Sequence, residues 1–237
     1  MGLPLTPRRK TIKSKTQLLA MKTCGGSQCL NVELIAYSVP REGNVDKLIA
    51  ESAAISHAPE FRTLNEKRVE HLVNLLKRLG HESVFEHACF TFRVEGISRV
   101  CSHQLVRHRL ASYTQQSQRY VNLKAPKFIV PEAIYGSEFE DEFMEILERA
   151  AELYRKMVEG GIRKEDARFI LPQGIETKII ITMNARELRH FISLRCDPSA
   201  QWEIRAMAKE MLKLAYEKAP ILFGDLYNKY IEDKTDQ

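Results

Sequence analysis

The chain has 237 residues, 44% hydrophobic and 28% charged, which suits one large globular domain or two small ones with a sizeable core. It has no apolar run near the roughly 20 residues that a membrane span needs, and no apolar secretory region after its start. A formal net charge of +5 favours anionic ligands without separating nucleotides from nucleic acids.

No acidic residue precedes Glu33, while Arg8, Arg9, Lys10, Lys13, Lys15 and Lys22 make the opening basic. Residues 1–31 therefore read as a disordered leader, with a targeting peptide or a nucleic-acid arm as weaker readings and Met21 as an alternative start. The five cysteines (Cys24, Cys29, Cys89, Cys101 and Cys196) are an odd count without a framework spacing, which suggests reduced thiols in the cytoplasm. Val32 to Val39 is rich in β-branched and aliphatic residues and predicts a strand. Pro40 to Asn44 is a turn, and a helix follows from Val45 to Ser56. A second helix spans Leu64 to Leu79, with Leu72, Leu75, Leu76 and Leu79 at helical spacing and Gly80 at its end.

His81-Glu82-Ser83-Val84-Phe85-Glu86-His87 nearly matches a zinc-protease pattern. Its two histidines are six residues apart, roughly 240° around a helix, so they cannot chelate one metal from a regular helix. The segment reads either as a capped turn or as a polar loop that touches a ligand. Ala88 to Val94 alternates as a half-buried strand closed by Gly96. Ser98 then caps a helix through His108, and Gln104 and Arg107 share a face of it. Lys124-Ala125-Pro126 and Val130-Pro131 bound a short extended piece. Phe139 to Val158 predicts an amphipathic helix with Phe143, Ile146, Leu147, Ala150, Tyr154 and Met157 as core face. Lys164 to Phe169 is a short helix carrying Arg168, and Lys178 to Met183 a strand. Asn184 caps a helix through Arg195, with Arg186 and His190 as neighbours at i and i+4. Further helices span Ala200 to Glu217 and Pro220 to Tyr230. No linker divides 32–232, so this range reads as one domain followed by a tail at 233–237.

Within that domain, Arg107 to Tyr120 is conspicuous, since three arginines, one histidine, two serines and three glutamines fall in fourteen residues. Such a run suits phosphate, through the paired donors of arginine, and a pyrimidine edge, through amide and hydroxyl groups. Phosphate-binding glycine loops, a nucleophile turn and an acid/base carboxylate pair are all missing. Cys101 and Cys196 read as small buried apolar residues rather than nucleophiles. Many arginines with few acids or nucleophiles suggest chemistry carried by a bound cofactor. A basic nucleic-acid module is the competing class, but the aromatics form no stacking platform. A cofactor-dependent reductase with another substrate is a further alternative.

The run contains R-H-R-x7-S-x-R, from Arg107-His108-Arg109 to Ser117 and Arg119, and this resembles the signature of the flavin-dependent thymidylate synthases. The resemblance extends to His81-x-Ser83-x-Phe85-Glu86-His87, Gln104-Leu105-Val106-Arg107, Ala167-Arg168, Asn184-Ala185-Arg186-Glu187-Leu188, Leu194-Arg195 and Ala200-Gln201-Trp202-Glu203-Ile204. It implies an α/β (α+β) fold: a single mixed domain with a central sheet flanked by long helices, assembled into a homotetramer whose active sites are shared between chains. It also implies FAD as cofactor, NADPH as reductant, 5,10-methylenetetrahydrofolate as carbon donor and dUMP as acceptor, with no metal, nucleic acid or membrane partner. On matching positions, FAD would meet His81, Ser83, Arg107, His108, Arg109, Gln115, Asn184, Ala185, Arg186 and His190. Gln104, Leu105, Val106, Arg107, Gln115, Gln116, Ser117, Gln118, Arg119 and Arg168 would hold dUMP. Arg195 would contact the uracil ring and favour its ionisation at N3. Gln115 stands where the family often has glutamate, so this position brings no charge. The family needs no cysteine nucleophile.

Overall fold

Two long strands carry the fold: β3 (Cys89–Ser98) and β6 (Glu176–Asn184) pair antiparallel, from Cys89 opposite Asn184 to Ser98 opposite Glu176. Their alternation buries Phe90, Phe92 and Val94 beside Ile179, Ile181 and Met183 on one face, and leaves Thr91, Arg93 and Thr182 on the other. Each fully buried Phe or Ile contributes about 1.5–3 kcal/mol. The edge strands β2 (Asn31–Tyr37) and β4 (Ser112–Gln115) flank the pair, giving the order β2-β3-β6-β4. A separate parallel pair joins β1 (Lys22–Gly25) to β5 (Lys127–Val130). This computed structural model describes residues 22–57, 63–121 and 125–233.

The helices are α1 (Val45–Ala54), α2 (Glu66–Leu79), α3 (Arg99–Leu105), α4 (Glu140–Glu159), α5 (Lys164–Ala167), α6 (Ala185–Arg195), α7 (Trp202–Lys218) and α8 (Pro220–Tyr227). The buried stripe of α7 (Ile204, Met207, Ala208, Met211, Leu212 and Ala215) and that of α6 (Leu188, Phe191 and Ile192) join the apolar face of the large sheet in one core. Side-chain oxygens of Asn44, Asn65, Ser98 and Asn184 accept backbone N–H groups at the starts of α1, α2, α3 and α6. Buried Asp46 on α1 accepts from Ile221 N (3.1 Å) and Leu222 N (2.9 Å), so α1 holds the first turn of α8. The fold is mixed α/β, with long helices around a central sheet, as the family resemblance implies.

Several boundaries differ from expectation. The basic leader was expected to reach residue 31, yet Lys22–Gly25 forms β1 and Gly26–Cys29 a 3-10 turn; residues 1–21 and 234–237 lie outside the described residues. Cys89, Cys101 and Cys196 are free thiols, but Cys29 is disulfide-bonded, which corrects the expectation of reduced thiols throughout. Gly96 does not close β3: the strand passes through it with a register shift between Val94 and Ile97. The helix begun at Ser98 ends at Leu105, short of His108, and the polar run beyond it folds as edge strand β4. On α4, Ile146 is 54% exposed, because the small core of Phe128, Val130 and Ile175 takes only the side of the helix that carries Leu147. Leu79 is 55% exposed, and α2 buries Val69 and Val73 instead.

The bulge gives a sharp prediction. A Cβ at Gly96 (φ +74°) would stand 1.9 Å from the Cys29 carbonyl oxygen, whereas one at Gly80 (φ +69°) meets nothing within 4 Å. Gly80→Ala should therefore cost about 1 kcal/mol of unfolding free energy, from backbone conformation alone. Gly96→Ala should cost more than about 3 kcal/mol, because backbone must move as well. Denaturant unfolding of the two variants checks the ranking.

Candidate active site

His108 follows α3 and is only 6% exposed. Its Nε2 accepts a hydrogen bond from Arg195 Nε at 3.0 Å, and its Nδ1 lies 3.4 Å from Oε1 of Glu187. Phe191 meets the ring edge-on at 4.9 Å, and His190 lies 6.2 Å away. Tyr113 on β4 donates to the carbonyls of Leu105 (2.8 Å) and His108 (2.9 Å), which ties the motif backbone to the sheet. Burial, then the Arg195 charge, then His190 push the His108 pKa down to about 4, so the imidazole is neutral at physiological pH. Burial raises the Glu187 carboxyl above its ordinary range. Arg195, at the last turn of α6, is thus held through one nitrogen by a neutral acceptor. Among the described residues, its two Nη groups donate to no protein atom.

A second group of cations gathers around Gln116. Arg99, the first residue of α3, donates to the Gln116 carbonyl at 3.0 Å, while its Nε is buried without a partner among the described residues. Burial and the nearby Arg168 charge lower the Arg99 pKa. Two guanidiniums close enough to feel each other's charge, both part-buried, suit a dianionic phosphate. Arg168 Nε donates to the Glu165 carbonyl (3.1 Å), and Arg119 Nε to the Glu165 carboxylate (3.0 Å). Ser117 Oγ accepts from Arg119 N at 3.2 Å. Gln116 N donates to the Lys178 carbonyl, and Gln115 Nε2 to Thr177 Oγ1 at 3.1 Å, so β6 holds this end of the motif. Gln118 is half-buried beside them. The sequence reading missed Arg99, which lies outside the signature and follows a capping serine. Glu165, the counter-ion of Arg119, was also missed.

The remaining predicted residues lie at the other end of α6 or on the surface. Arg186 pairs with Glu86 (2.7 Å) and Glu82 (3.7 Å), which binds α6 to the segment that carries His81 and Ser83, both exposed. Asn184 Oδ1 accepts the Glu187 N–H, and His190 is exposed. Arg107 and Arg109 are exposed and meet no carboxylate among the described residues. Gln104 is half-buried and Val106 42% exposed. Leu105 and Ala185 have side chains with 0% exposure, and Ala185 N donates to the Ala88 carbonyl. These two residues are buried whole, backbone included, and support the site from inside. Cys101 is fully buried, and burial followed by the Glu203 charge raises its pKa; burial pushes the Cys196 thiol up to about 12. Neither has the thiolate that nucleophilic attack requires.

Comparison with known proteins adds to this geometry. Residues 33–221 match the family described as thymidylate synthase complementing protein. A Geobacter sulfurreducens protein named flavin-dependent thymidylate synthase is 52% identical over 165 residues, covering 68% of this chain and 71% of that one. A Clostridium tetani protein of the same name is 41% identical over 221 residues, 84% of this chain and 87% of that one. One from Pyrococcus furiosus is 49% identical over 158 residues, 65% of each chain.

The neutral imidazole has a consequence for stability. Unfolding frees His108 to titrate near its ordinary 6.5, whereas the folded chain keeps it unprotonated to about 4. Between those values the unfolded state binds the extra proton, so this residue removes up to about 3 kcal/mol of stability as pH falls through the window. The Tm of the wild type should drop more steeply from pH 6.5 to 4 than that of His108→Gln, and calorimetry across this range measures the difference.

Proposed function

This chain belongs to the thymidylate synthase complementing protein family, and on that ground we propose that it converts dUMP to dTMP by flavin-dependent reductive methylation. The observation that carries the reading is Arg195, a guanidinium pinned at Nε by a buried neutral histidine with its Nη groups directed to no protein atom among the described residues. Such a group stabilises negative charge on a pyrimidine.

In this reading the dUMP phosphate is held by Arg119, Arg168 and Ser117, with Arg99 as a further donor. Gln104, Val106, Arg107, Gln116 and Gln118 line the nucleoside, with Leu105 as their buried support. Gln115 keeps its amide on Thr177 and steadies β4. Arg195 sits against the uracil and favours loss of the N3 proton, which makes the ring electron-rich at the carbon that accepts the methylene group. The donor set also fits FAD. Arg107 and Arg109 offer a pyrophosphate cations that meet no carboxylate among the described residues, and His81, Ser83, Asn184, Arg186 and His190 offer polar groups to the rest of the cofactor. Ala185 and His108 stand behind them. When bound, FAD supplies the hydride-transfer chemistry, with NADPH as reductant and 5,10-methylenetetrahydrofolate as the source of the carbon.

A homotetramer with shared active sites, working in the cytoplasm, completes the proposal. It is supported by apolar side chains beside the motif that a lone chain leaves in water: Leu110 (73% exposed), Tyr120 (75%) and Phe169 (85%).

The purified protein should show a flavin spectrum, and NADPH oxidation should yield dTMP only when dUMP and the folate are present. Arg195→Ala should lower kcat by about 100-fold or more while flavin is retained. Cys101→Ala and Cys196→Ala should keep their turnover, with at most a modest loss of stability. Flavin turnover that ignores dUMP would identify a reductase instead, and a colourless protein unable to take up FAD would refute the reading.

A further inference from the structure

Glu187 is 5% exposed, and its carboxylate faces the His108 ring rather than water. A carboxylate buried against a neutral ring is an expensive way to stabilise a fold, and a well-packed apolar residue would serve better. The other side of the ring supplies a reason for it. Arg195 Nε can only donate, so His108 Nε2, at 3.0 Å, must be the unprotonated nitrogen. The ring proton then resides on Nδ1, which faces Glu187 Oε1 at 3.4 Å. With the alternative tautomer, two N–H groups would oppose each other at Arg195, and a lone pair would face the carboxylate. Both ends of the ring therefore select the same tautomer.

We propose that Glu187 is a positioning residue: through the His108 tautomer it fixes the plane of the Arg195 guanidinium and turns the Nη edge toward the substrate ring. This rests on the proposed contact between Arg195 and uracil. The nearby carboxylate also makes Nε2 a better acceptor, which strengthens the charge-assisted bond to Arg195. Tyr113 holds the His108 backbone through its hydroxyl, and Phe191 packs the ring edge-on, so the imidazole has little freedom except its choice of tautomer. Loss of the carboxylate leaves Arg195 alone to select the tautomer.

The test pairs one variant with one direct observation. In Glu187→Gln the amide can donate to Nδ1, which permits the tautomer that repels Arg195. We expect kcat to fall about tenfold, the scale of one charge-assisted hydrogen bond, with flavin content and the KM for NADPH unchanged. Binding should change as well: the wild type is expected to hold 5-fluoro-dUMP, whose fluorine acidifies N3, more tightly than dUMP, and the variant should lose much of that preference in Kd. A folded, flavin-loaded Glu187→Gln with wild-type kcat and preference would overturn the proposal. If that variant does not fold, 15N NMR of histidine-labelled wild type decides: a neutral Nδ1–H tautomer at His108 supports the proposal, and Nε2–H or an imidazolium overturns it. A wild type that makes no dTMP would sink the functional reading instead, while the tautomer signal still judges the role of Glu187.

Discussion

The antiparallel pairing of β3 with β6 is the constraint on which the site depends. Each strand launches a helix: Ser98 at the end of β3 caps α3, and Asn184 at the end of β6 caps α6. Because the strands run in opposite directions, the two helices start at opposite ends of the sheet. A nine-residue strand spans about 30 Å, and the eleven residues of α6 rise about 16 Å back along it. This return brings Arg195 to His108, just beyond α3, while the start of α6 remains beside the 82–87 segment that Arg186 grips. Edge strand β4 then ties the motif to β6 from Ser112 to Gln115. The sheet thus makes one surface from stretches of sequence that lie far apart.

On that surface the cations are held in two different ways. Arg195 is fixed by a buried neutral acceptor, which leaves its charge uncompensated by any carboxylate at the contact. Arg119 and Arg186 are paired with Glu165 and with Glu82 and Glu86 on the surface. Exposed pairs of this kind are worth only about 0–1 kcal/mol, so an arriving phosphate can displace a carboxylate at little cost. On the proposed function, the permanent geometry is built around the position where charge is to be stabilised, and the exchangeable geometry around the positions where substrate would enter and leave.

The elements and much of the chemistry were legible in the sequence. Asn184 and Ser98 announced helix starts and alternation announced β3, while the crowding of arginines is what suggests an anion site. Burial was less legible. His108, Leu105 and Ala185 sit inside a motif that reads as a polar ligand surface, yet each faces the interior, because a short helix and a strand end must present one side to the core. Arg99 was hidden by the opposite problem: an arginine after a capping serine looks like any exposed residue of a first turn, and only the approach of Arg168 and Gln116 from elsewhere in the chain gives it a role. Strand β4 was obscured because its Ser, Thr and Gln lack the apolar signal of an interior strand. Gly96 looked like a strand end, since a bulge and a terminus both call for a residue that tolerates positive φ.

The central claim is that a guanidinium held by a neutral buried histidine draws the uracil toward its N3 anion. The direct measurement is the 15N chemical shift of N3 in labelled dUMP bound to the flavin-loaded protein, followed with pH. The account predicts that bound N3 titrates below the free nucleotide in the wild type and returns toward the free value in Arg195→Ala. An N3 that titrates alike when free, when bound to the wild type and when bound to the variant would contradict it.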